Sequence, residues 1–118
     1  RLRELSSSAA QRFTDCQVMV SPTVSVSPPA LEKVLAVEQY RPNNIAALRN
    51  TCPANYLSLC AITIPVGLDA QGMPVGMQLM APHSHEEQLL AIATCIETIL
   101  GSSRERLGTP PLPARHSP

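Results

Sequence analysis

The stretch from residue 61 to residue 80 limits the folds open to this chain more than any other. Ala61-Ile62-Thr63-Ile64-Pro65-Val66 is β-branched and apolar at successive positions, so it reads as a strand covered on both faces. Asp69-Ala70-Gln71-Gly72 follows as a polar turn, with a glycine available for positive φ. Pro74-Val75-Gly76-Met77-Gln78-Leu79-Met80 is a second strand, and the short connection makes the two a hairpin. A hairpin that is apolar on two faces needs cover on both sides and further strands along its edges.

The rest of the chain supplies only part of that cover. Leu2, Leu5, Ala9 and Phe13 fall on one helical face. Cys16 to Val20 reads as a short strand ended by Pro22, and the proline-rich run to Pro29 as an extended loop. A helical turn or two is expected over 30–38, a helix start at Pro42-Asn43-Asn44, and a bend or restart at Pro53. Ser84 and Glu87 have the spacing of a capping box for a last helix, along which Leu89, Ala93, Ile96 and Leu100 recur until Gly101 closes it. Residues 102–118, with four prolines among the last nine, read as a flexible tail, leaving 1–101 as the folded part. The expected fold class is α/β, as the edge of a larger sheet; a small α+β domain closed on itself is the alternative. Arg1-Leu2-Arg3-Glu4-Leu5 reads like the middle of an amphipathic helix, as if taken from a longer chain.

Composition excludes several functions. With 44% apolar and 15% charged residues, the chain has the means to build a core and is not a disordered segment. Its formal net charge is zero, with no basic stripe, so neither nucleic acid nor an anionic membrane surface is an expected partner. No apolar run reaches the roughly 20 residues that span a bilayer. Cys16, Cys52, Cys60 and Cys95 match no zinc spacing. Cys16, Cys60 and Cys95 lie in apolar stretches and read as buried free thiols, which points to the cytoplasm.

No catalytic set is legible. Lys33 is the single lysine and sits beside Glu32 in a surface-like stretch; the serines at 6–8 and at 102 and 103 have no base at a recognisable spacing. His83-Ser84-His85-Glu86-Glu87 could suggest a metal, but acidic residues in a first helical turn are explained by the helix dipole, and no second ligand cluster exists. Asn50, Thr51 and Asn55 flank the break at Pro53. Either they satisfy backbone groups freed by the proline, or they line a substrate pocket at a strand end.

Three segments in order carry a family resemblance. Asp15-Cys16-Gln17-Val18-Met19-Val20-Ser21-Pro22-Thr23, then Asn55-Tyr56-Leu57-Ser58-Leu59-Cys60-Ala61-Ile62-Thr63-Ile64-Pro65, then Gly72-Met73-Pro74-Val75-Gly76-Met77-Gln78-Leu79 resemble the C-terminal part of the amidase-signature hydrolases. The resemblance covers residues 1 to 101 and implies part of a mixed-sheet α/β/α fold. It also implies amide hydrolysis by a serine nucleophile, a bridging serine in a cis peptide and a lysine, with no metal or organic cofactor. Those three residues belong to an upstream region and have no counterpart here, so no catalytic residue is carried over. The implied partners are a small-molecule amide and the remainder of the amidase chain, with one wall of the acyl pocket near Asn50, Thr51 and Asn55.

Ser58 and Cys60 stand where many members have Gly and Pro, which is closer to the bacterial amidase and allophanate-hydrolase-like branch. Leu48 lies near the place where the resemblance implies an acidic residue in a glutamine-specific site, and that acidic residue is absent. The rival reading is a non-catalytic remnant or binding module on the same scaffold; a thiol or metal protein is a third.

Overall fold

The computed structural model describes residues 1–109. Helix α1 (Leu2–Gln11) runs into a 3-10 turn, Arg12–Thr14, and then strand β1, Met19–Pro22. A 3-10 turn at Leu31–Val34 and helices α2 (Val37–Leu48) and α3 (Cys52–Tyr56) lead to strands β2 (Cys60–Leu68) and β3 (Pro74–Ala81). Helix α4 (Glu86–Leu100) and a one-turn helix α5 (Ser103–Leu107) complete it.

The hairpin forms as its sequence requires. β2 and β3 pair antiparallel from Cys60 opposite Ala81 to Leu68 opposite Pro74, with a slip between Pro65 and Gly67. Pro65 has no N–H to give the ladder, and the irregularity falls there. The turn is organised by Asp69, whose carboxylate accepts from Gln71 N at 2.8 Å, Met73 N at 2.9 Å and the Ser27 hydroxyl at 2.6 Å. Gly72 takes φ +78°, a conformation that costs a glycine nothing.

Ser27, followed by the Met73 and Gln71 amides, holds the Asp69 carboxyl below the usual range. A depressed folded-state value means that the group stabilises the fold above the unfolded aspartate value, about 3.9, and that this is lost as pH falls through the folded value. Acidification below about pH 4 should therefore release the turn. Amide exchange at Gln71 and Met73, corrected for intrinsic rate, should rise there, and Asp69→Asn should show no such step.

β1 adds to the far side of β3, with Met19 opposite Met80 and Ser21 opposite Gln78, giving the order β1-β3-β2. β3 is thus central. On one face Ile64, Leu79 and Ala81 pack against Leu89 and Ala93 of α4, with Val18, Cys60, Ile62, Met77, Ile92 and Ile96 around them. The period of 2 in the strands meets the 3.6 period of α4, and both place these residues at one seam. The core is small. Leu31, Leu35, Ile45 and Ile99 are each at least 70% exposed.

Several local expectations are corrected. α2 starts at Val37, five residues before Pro42, and carries that proline inside it. Proline is normally a helix starter because its missing N–H is least costly in the first turn; here the sixth residue of the helix tolerates it. Pro53 does restart the chain, in the first turn of α3. The capping box at Ser84 and Glu87 does not form: His85 is the N-cap of α4, no side chain caps it, and Ser84 lies at φ +64°. Helix α4 starts one residue later than a Ser84 cap requires, so the spacing was right but the register was not.

A complete capping box is found at Ser102 and Glu105 instead, where it starts α5. Residues 103–107, read from sequence as the start of a loose tail, are therefore helical; the proline-rich residues 110–118 lie outside the described residues. Arg106 of α5 donates to the carbonyl of Pro65 and, at 3.0 Å, to that of Gly101, which fastens α5 to β2 at its irregular point. Cys16 and Cys95 are exposed rather than buried. Cys95 is not among the α4 residues that face the sheet, and the Cys16 thiol donates to Arg12 O at 3.3 Å.

Candidate functional site

The second face of the sheet differs from the first. Ser21, Gln78 and Thr63 lie directly opposite one another and form one row across all three strands. Beside them run Met19, Met80 and Ala61 in the same register. On β2 Ala61 and Thr63 of this face are exposed, whereas Ile62 and Ile64 of the other are half-buried and buried. Over β2 and β3 the sheet is covered on one side and partly open on the other, whereas on β1 Val20 of the α4 side is exposed and Met19 and Ser21 are half-buried.

Gln78 is nonetheless only 2% exposed. Its side-chain amide donates to the carbonyl of Asn50 at 3.2 Å, and the Asn50 side-chain amide donates to the carbonyl of Pro22 at 2.8 Å. Asn50 therefore joins the α2–α3 junction to the end of β1 and to the central strand. The hydroxyl of Ser21 is buried without a hydrogen-bond partner among the described residues.

Thr23 continues the row beyond β1. Its N–H donates to Gly76 O at 2.8 Å and its hydroxyl lies 3.2 Å from Thr63 Oγ1. Gly76 makes this approach possible, because a Cβ there would stand 2.7 Å from Thr23 Oγ1 and 2.8 Å from Thr63 Cγ2. The row has no titratable side chain, so it offers neutral hydrogen bonds and no acid or base.

The residues singled out from sequence are only partly brought together. Asn50 sits on the row. The Thr51 hydroxyl turns back to Leu48 O at 3.3 Å, a local bond within one turn. Asn55 is exposed at the end of α3, where its carbonyl accepts from Ser58 N at 3.3 Å. Sequence reasoning missed Ser21, Thr23, Thr63 and Gln78. Their signal was present in the alternation of Ser21 with Thr23 and in the lone polar residue within Ala61–Val66, but it was masked by reading 21–29 as a loop.

Potential chemistry elsewhere is occupied or exposed. Lys33 is exposed. The Ser6 hydroxyl donates to Leu57 O at 2.7 Å. The Ser102 hydroxyl donates to Glu105 at 2.8 Å, but the backbone N–H and hydroxyl of Ser102 hold that carboxyl below its usual range, which makes it a poorer base. His85 Nδ1 lies 2.9 Å from His83 O. Among the described residues no three His, Cys, Asp or Glu side chains group to hold a metal ion, and no helix is long and apolar enough to cross a membrane.

Residues 1–90 match the family described as Amidase. The chain belongs to the amidase family. This amidase chain is 46% identical over 112 residues to the 2-amino-5-chloromuconic acid deaminase of Comamonas testosteroni, covering 95% of itself and 24% of that protein. It is 32% identical over 96 residues to a fatty acid amide hydrolase of Medicago truncatula, covering 80% of itself and 16% of that enzyme. Its fold matches 6-aminohexanoate cyclic dimer hydrolase solved with substrate, with a TM-score of 0.78 at 24% identity, over 92% of this chain and 25% of that one. The chain therefore spans about a quarter or less of the proteins it matches, and its α/β architecture is part of the amidase fold.

Ser58 is a strained residue: it sits at φ +56°, in the left-handed region. An L-residue in the left-handed region costs about 1–2 kcal/mol, more than the roughly 0.5–1 kcal/mol that a glycine adds to the entropy of unfolding. Ser58→Gly should raise stability by about 0.5–1 kcal/mol, read as an increase in the urea midpoint with unchanged slope.

Proposed function

We propose that this chain is the C-terminal part of an amidase that hydrolyses a carboxylic amide C–N bond, with the nucleophilic serine, the cis-peptide serine and the lysine supplied by a region outside these 118 residues. The observation that carries this is a family match over residues 1–90 in a chain whose single lysine is exposed and, among the described residues, makes no hydrogen bond to a serine. In this reading the chain contributes sheet, flanking helices and one wall of the acyl pocket around Asn50, Thr51 and Asn55. Its partners are a small-molecule amide and the rest of the enzyme in the cytoplasm, with no nucleic acid and no membrane. The likeness to the 2-amino-5-chloromuconic acid deaminase favours a small polar substrate, and Leu48 at the position expected to be acidic disfavours glutamine.

The purified 118-residue chain should release no ammonia or amine from simple aliphatic or aryl amides. Turnover above the buffer blank would overturn the assignment of the chemistry to another region. The second reading, a scaffold that kept the fold and lost the chemistry, is favoured by the same lack of a hydrogen-bonded serine and lysine among the described residues. The reading frame ahead of Arg1 separates the two: a continuous frame with a Lys and a Gly/Ser-rich signature supports the enzyme, and a start codon beside Arg1 supports the remnant.

A further inference from the structure

The Thr23–Thr63 pair is built more carefully than two surface threonines require. Both hydroxyls are drawn together at 3.2 Å over a glycine that leaves room for nothing else. Thr23 is fixed by its own N–H to Gly76, and the preceding carbonyl is held by Asn50, whose backbone is in turn tied to the nearly inaccessible Gln78. One hydroxyl proton is used within the pair, and among the described residues the other has no acceptor. Thr63 itself is exposed, on the open face of the sheet. With Thr23 fixed from behind and one donor left over, the pair forms a preorganised neutral donor.

We infer that the Thr23–Thr63 hydroxyl pair is a specificity site that donates a hydrogen bond to a carbonyl or carboxylate oxygen on the acyl portion of the substrate, and that Asn50 is the positioning residue behind it. The inference rests on the proposed amidase reading and adds to it. In this arrangement Asn50 acts through Thr23, whose place it sets. A neutral donor selects substrates with an oxygen at that distance from the scissile bond over apolar isosteres, because an isostere would leave the hydroxyl without a partner.

The test uses the full-length amidase that carries this segment, assayed on a matched pair of amides, one with a distal carboxylate and one with a methyl group of similar size. Thr63→Val keeps the shape and removes the hydroxyl; Thr63→Ser keeps the hydroxyl. Thr63→Val should raise KM for the carboxylate amide about tenfold, the scale of one hydrogen bond, with kcat within about twofold and no rise in KM for the methyl amide. Thr63→Ser should restore KM. Asn50→Ala should reproduce the KM increase and selectively speed amide exchange at Thr23, which a general loss of stability would not single out. Equal losses on both amides, or a Thr63→Val enzyme that discriminates like the parent, overturn the specificity site. A parent enzyme that cleaves neither amide, nor any other C–N bond, fails at the earlier step and removes the amidase reading instead.

Discussion

Leu79→Ala should destabilise the protein by about 2–5 kcal/mol. Leu79 is completely inaccessible, in the central strand, on the face that α4 covers, with Ile64, Ala81, Leu89 and Ala93 in the same cluster. Truncation removes the transfer free energy of the lost methyl and methylene groups and leaves a void that the strand cannot close, since β3 is hydrogen-bonded on both sides. Ile99→Ala is the control. Ile99 is 78% exposed on the same helix that caps the core, and its loss should change stability by no more than about 0.5 kcal/mol. Urea midpoints of the two variants decide the matter. Similar shifts would mean that the seam between α4 and β3 is not where the stability lies.

Gly76→Ala should cost about 1–3 kcal/mol, through crowding rather than loss. The added methyl would stand 2.7 Å from Thr23 Oγ1, 2.8 Å from Thr63 Cγ2 and 3.2 Å from Thr23 Cβ. Threonine is stiff about χ1, so neither neighbour can swing aside cheaply. The Thr23→Ala/Gly76→Ala double variant removes the nearest of these contacts, and its cost should be smaller than the sum of the single ones by about 0.5–3 kcal/mol. Strict additivity would show that Thr23 and Gly76 do not meet.

The hairpin was legible in the sequence because two independent signals agreed: a pair of apolar runs, and between them a turn with Asp69 and Gly72. α4 was legible for the same reason, from Leu89, Ala93 and Ile96 at helical spacing. Its start was not, because Ser84 has the chemistry of a cap while the chain gives that position a left-handed conformation. Burial of the cysteines was misread from apolar neighbours, since neighbours in sequence do not say which side of a helix faces the core. Of the site, Asn50 was found but its role was not, because its partners, Pro22 and Gln78, each lie 28 residues away. Ser21, Thr23 and Thr63 become a group only when β1 adds to β3, a pairing that no local pattern encodes.

The contact between Arg106 and Pro65 bears on where this polypeptide can be shortened. The match to the amidase family ends at residue 90, one turn into α4, yet Ile92, Ala93 and Ile96 beyond it complete the packing on the sheet. Further on, a guanidinium from a single helical turn quenches a strand carbonyl that proline has put out of step. A truncation placed by family similarity would leave Ile64 and Leu79 wet, and one placed at the end of α4 would strip the carbonyl of its donor. The smallest stretch that keeps both runs through Leu107.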